Sequence, residues 1–232
     1  MTNRKYAILL IFLILTTNTF AWKWETHEDI AKNIYENLPG DIQNNLNLRL
    51  MQEGSIAPDK IFRDYTNHHY PPSYKKADYW LNKTKELYAN EDYDKASYAL
   101  GVASHYISDS FSAPHYIKKE PPNSHEEYEK QGITKIKLMC SSSKLNTVSL
   151  ENELKLAAEE KTTWQTWLKT RDERIPQDAV KSAAIASVQQ GLTAFWLNAS
   201  CSNQVAQLDS SLLLIVVSVI LLVFVGVIFK RF

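Results

Sequence analysis

Apolar residues return at helical spacing along most of the chain, and strand-type alternation persists nowhere. Ile30, Ala31, Ile34 and Leu38 mark one face of a first helix, which Pro39-Gly40 stops. Thr26-His27-Glu28-Asp29 has the form of a capping box, the expected start of that helix. A short second helix is expected over 41–53, and 54–74, punctuated by Pro58, Pro71 and Pro72, reads as loop. Further helices are expected over 75–89, 93–112, 123–138, 148–170 and 177–199. Trp164 and Trp167, three apart, are expected to pack against a neighbouring element. The expected fold class is all-α: a single multi-helix domain with no internal repeat.

Two apolar stretches stand outside this pattern. Asn3, Arg4 and Lys5 precede an apolar run from Tyr6 to Leu15, and Thr19-Phe20-Ala21 follows. This is the order of a secretory signal peptide over 1–21, cut after Ala21. Residues 212–229 are apolar except for Ser218 and Gly226. Eighteen residues at ~1.5 Å each span roughly 27 Å, enough to cross a bilayer as a C-terminal transmembrane helix. Lys230 and Arg231 follow, so 230–232 is the expected cytoplasmic tail and the domain is expected outside the cytoplasm at the cell membrane. The domain itself would occupy 22–202, joined to the span by a polar linker over 203–211.

The chain carries 26 basic and 26 acidic side chains. Arg4, Lys5, Lys230 and Arg231 lie in the two ends, where no acid lies, leaving 22 basic against 26 acidic between them, a net of −4. That balance offers no basic patch for nucleic acid, and no protein partner is implied. Cys140 and Cys201 could form a disulfide in an oxidising compartment or remain two free thiols.

The chemistry concentrates in the first half. All six histidines, His27, His68, His69, His105, His115 and His125, precede residue 126. His105 and Asp109 are i and i+4 on an otherwise apolar helix, where such groups are costly unless paired or metal-bound. His125 and Glu129 repeat the spacing, and Asp59 lies nine residues before His68. Imidazole nitrogen and carboxylate oxygen are the ligands zinc takes. Each pair alone could be an ordinary hydrogen-bonded pair.

Together, "WKWETH", "APD", "NHHYP", "SHYISDSFSAPH" and "HEEYE" resemble the zinc-dependent phospholipase C family, which shares its fold with the single-strand-specific zinc nucleases. The most specific element is the spacing of His105, Asp109 and His115. The resemblance implies a mostly helical domain with three zinc ions in a cleft. One zinc would be held by Asp59, His68, His105 and Asp109. A second would share Asp109 and take His27 with the α-amine and carbonyl of Trp22, which requires cleavage just before Trp22. The third would be held by His115, His125 and Glu129. His69 is the alternative to His68.

The resemblance further implies hydrolysis of a phosphate ester, with Asp59 orienting or deprotonating the attacking water. The expected activity is that of a membrane-anchored phospholipase C cleaving the glycerol-side phosphate ester of a phospholipid. The spacing of Trp22 and His27 is more like the nuclease branch, whereas Glu129 is more like the phospholipase branch. A nuclease or nucleotidase acting on single-stranded nucleic acid, and a non-catalytic zinc-stabilised surface domain, are the alternatives.

Overall fold

The first helix, α1 (Ala21–Glu36), buries Ile30, Ala31 and Ile34 along the expected face. The computed structural model describes residues 21–133, 135–142, 148–197 and 199–203. The signal peptide and the C-terminal span fall outside these residues. Among the described residues no helix is long and apolar enough to cross a membrane.

Several elements differ from expectation. α1 begins upstream of Thr26, which is therefore interior to the helix and not its cap. The short α2 (Gly40–Gln43) follows Pro39, and α3 (Leu48–Ala57) starts at Asn47, whose side chain accepts from the amides of Arg49 and Leu50. α3 then runs without interruption into a π-helical turn, Pro58–Phe62, inside the segment expected as loop.

α4 (Pro72–Ala89) and α5 (Tyr93–Asp109) complete the first half. α5 is the central element: it packs against α3, α4 and α9, and it is buried almost continuously from Ala96. Its contact with α3 is set by two glycines. A Cβ on Gly54 would strike the carbonyl oxygen of Tyr98, and one on Gly101 that of Met51. Backbone meets backbone here because neither residue has a side chain.

α5 ends at Asp109, three residues before the expected limit, and a 3-10 turn, Ala113–Tyr116, follows. α6 (Ser124–Gln131) stops at Gly132, well short of 138. The chain then forms β1 (Leu138–Ser142), which pairs antiparallel with β2 (Ala199–Asn203), Cys140 opposite Cys201. The described fold is mostly helical, consistent with the all-α expectation, and adds one short ribbon that the sequence did not show. The reason lies in α1. Asn33 and Asn37, one turn apart, each bond β1: Asn33 Oδ1 accepts from Leu138 N at 2.9 Å and Asn37 Oδ1 from Cys140 N at 2.9 Å. Their amides donate to the carbonyls of Ile136 and Leu138. A helix edge thus satisfies backbone groups that would otherwise be buried without partners.

Cys140 and Cys201 form a disulfide 61 residues apart in sequence. Closing a loop of that length stabilises the fold by about 4 kcal/mol in the chain-entropy account.

α7 (Leu150–Ala157) and α8 (Thr163–Thr170) flank a 3-10 segment at 158–162, so the helix expected over 148–170 is interrupted. α9 (Arg174–Thr193) closes the core. Trp164 and Trp167 pack with Tyr128 and Ala113 in a second apolar cluster, as ordinary core residues. Trp167 Nε1 donates to Gln131 at 2.7 Å, which ties α8 to α6.

Candidate metal centre

Six segments deliver eight side chains to one place. α1 brings His27 on the same face as Ile30 and Ile34, and the π-helical turn brings Asp59. The following loop brings His68, and the last turns of α5 bring His105 and Asp109. The 3-10 turn brings His115, and α6 brings His125 and Glu129. The glycine contact of α3 with α5 sets the register of this assembly, because α3 leads into Asp59 and α5 carries His105.

These side chains form four overlapping groups with ligand atoms within 4.8 Å of one another: His27–His105–Asp109, Asp59–His68–His105, His68–Asp109–His115 and His115–His125–Glu129. Asp109 lies between two of them. Its Oδ1 is 3.1 Å from His27 Nε2, and its Oδ2 is 3.2 Å from His105 Nε2 and 2.8 Å from His68 Nδ1. Asp59 Oδ1 is 3.6 Å from His68 Nε2 and 3.8 Å from His105 Nε2. Glu129 Oε1 is 3.3 Å from His115 Nε2 and 2.9 Å from His125 Nε2.

The outer nitrogens show which tautomers the imidazoles adopt. His105 Nδ1 donates to the carbonyl of Ser55 at 2.7 Å, and His115 Nδ1 to that of Asp109 at 3.0 Å. His125 Nδ1 faces Glu120 Oε1 at 3.1 Å. Ser108 spends its hydroxyl proton on the carbonyl of His105, so it accepts from His27 Nδ1, 2.9 Å away. In its neutral form each of these rings would turn its Nε2 lone pair toward a carboxylate oxygen. Lone pairs facing each other at about 3 Å repel unless a cation lies between them, and this donor set of imidazole nitrogen and carboxylate oxygen is the one zinc takes. Among the described residues, the buried Nε2 atoms of His68 and His105 have no hydrogen-bond partner, which suits them as metal ligands. The residues present fit zinc.

The electrostatics agree. Burial would raise the Asp109 carboxyl, but the four imidazoles around it outweigh that and hold it well below the usual carboxylate range. Burial depresses His105, with His27 adding to the fall, so this ring is neutral and free to donate a lone pair. Burial also pulls His68 down, but Asp109 and Asp59 more than offset it and the ring is raised.

His69 takes no part in the four groups and packs edge-on against Tyr116, the ring centroids 5.6 Å apart. Trp22 lies at the start of α1, on the helix that carries His27, and the four groups are assembled without it. The orienting groups Ser55, Ser108 and Glu120 carried no sequence signal. A serine or carbonyl that holds a ligand is recognised only once the chain is folded.

An open cleft of about 700 Å³ gives access to the centre. Asp59, His68, His115 and His125 form its floor, with Trp24, Lys60, Arg63 and Tyr65 among the wall residues. The profile of the zinc dependent phospholipase C family matches residues 26–193, well over half of the chain. The chain belongs to that family. The match spans every member of the four groups from His27 to Glu129 and begins after Trp22. Comparison with curated proteins gives no significant match. Membership in the zinc dependent phospholipase C family implies a hydrolase, and the buried His and Asp groups suit zinc.

Proposed function

We propose that the protein is a phospholipase C that hydrolyses the glycerol-side phosphate ester of phospholipids, using about three zinc ions per chain. The observation that carries this reading is Asp109, a buried carboxylate shared by two of four overlapping ligand groups whose outer members Asp59, His68, His115 and His125 line an open cleft. A purely structural site closes its coordination, whereas a catalytic one stays reachable.

Asp59, His68, His105 and Asp109 would hold one ion. His27 and Asp109, with the α-amine and carbonyl of Trp22 after signal cleavage, would hold a second, and His115, His125 and Glu129 a third. Bound zinc supplies positive charge for phosphoryl oxygens and makes water ionisable near neutral pH. Asp59 faces the cleft and would orient the attacking water or take its proton. Oxygen attacks phosphorus, the bond to the glycerol oxygen breaks, and that oxygen leaves with a proton as diacylglycerol or its ether counterpart. The phosphorylated headgroup is the second product. The apolar span expected over 212–229 and the signal peptide support a location at the outer face of the cell membrane, where phospholipid is concentrated.

A substrate panel on the full chain in detergent tests this. Phospholipids should be hydrolysed faster than single-stranded DNA or RNA, and a chelator should abolish turnover. Faster cleavage of nucleic acid would favour the nuclease reading, and no zinc-dependent hydrolysis of any phosphate ester would favour a non-catalytic domain.

A further inference from the structure

One lip of the cleft exposes apolar side chains that the catalytic reading does not use. Ile61 is 61% exposed, Phe62 41%, Tyr65 70% and Tyr79 59%. These are four of the largest exposed apolar residues, gathered in two short stretches, 61–65 and 79. The aromatic ones adjoin: Phe62 stacks on Trp80 with centroids 6.0 Å apart, Tyr79 meets the same ring edge-on, and Arg63 lines both the cleft, with Tyr65, and the adjoining groove that Phe62 and Tyr79 share. Scattered apolar residues need no explanation, whereas a grouped patch at a cleft mouth does.

The charges across 60–65 and 75–80 are predominantly positive: Lys60, Arg63, Lys75 and Lys76 stand against Asp64 and Asp78, and Asp64 is taken up by Lys76 at 3.1 Å. Lys60, Arg63 and Lys75 border it, and among the described residues none of the three has a carboxylate within 4.0 Å. The domain as a whole is acidic, so this cationic border is local. Aromatic and aliphatic side chains interleaved with unpaired Lys and Arg are what the interface of an anionic bilayer takes: rings and methyls at headgroup depth, cations against the phosphates.

We infer that the lip formed by residues 60–65 and 75–80 is a docking surface for an anionic phospholipid bilayer, which sets the cleft mouth against the membrane. The inference rests on the phospholipase reading for its purpose, but its test does not require turnover. The only two cysteines are joined to each other, so Phe62→Cys gives a single free thiol for an environment-sensitive fluorophore. The labelled full chain is reconstituted in vesicles of phosphatidylcholine alone or with phosphatidylglycerol. A label at Leu156→Cys, an exposed position outside the lip, is the control.

Docking predicts a blue shift of the Phe62 label with phosphatidylglycerol, little shift without it, and none for the control. Adding Arg63→Gln and Lys75→Gln should weaken the shift, lowering the docking equilibrium constant about thirtyfold, since each cation near an anionic surface contributes about 1 kcal/mol. A label that stays in water in both vesicles overturns the proposal. So does a shift that is equal without vesicles, which would mark a protein partner or a second copy. A lipid-dependent shift without lipid hydrolysis supports docking while removing the phospholipase reading.

Discussion

Asp109 touches two ligand groups and Glu129 one, so the two carboxylates should not be equivalent. Asp109→Asn should remove more bound zinc than Glu129→Gln, as read by elemental analysis of each purified variant. Equal loss would reduce Asp109 to a structural partner of His105. Asp64 acts at one remove. It accepts from Tyr106 Oη at 2.9 Å, Asn67 Nδ2 at 2.6 Å and Lys76 Nζ at 3.1 Å, tying the loop that carries His68 to α4 and α5. Burial would raise its carboxyl, but these three partners outweigh burial and bring it down to about 2. A pKa depressed on folding stabilises the native state above the unfolded value near 3.9 and loses that contribution as pH falls toward about 2. Wild type should therefore be more stable than Asp64→Asn at pH 7, by about 1–3 kcal/mol, and the gap should narrow below pH ~4. Denaturant midpoints at the two pH values check this; a gap independent of pH would mean that the charge contributes nothing.

At the scale of elements, the sequence carried some things and not others. The face of α1, the burial of α5 and the i, i+4 pairs of α5 and α6 were legible because periodicity and spacing are local. The π-helical turn was not: Pro58 is a punctuation signal, yet α3 passes straight through it and so positions Asp59. The ribbon was missed because its partners, Asn33 and Asn37, lie about a hundred residues from β1. His68 and His69 could not be separated by spacing, only by the packing of His69 against Tyr116. The glycine contact between α3 and α5 likewise appears only in the fold. Gly101→Ala should push α5 off α3, cost about 1–3 kcal/mol and lower the melting temperature by several degrees. Gly40→Ala, where a Cβ meets nothing within 4 Å, should not. Equal melting temperatures for Gly101→Ala and wild type would show that the helices separate freely.

At the scale of the molecule, the core and the metal centre are one construction. α5 is both the most buried helix and the source of His105 and Asp109, so polar ligands sit where a helix would otherwise be wholly apolar. With the four rings in the neutral form that can ligate a metal, a buried carboxylate facing them would be costly to retain without a bound cation. The account therefore stands or falls on metal. Elemental analysis of the full chain, purified without chelator or added metal, measures this most directly. The account predicts about three zinc ions per chain; protein that folds and carries one ion or none would contradict it.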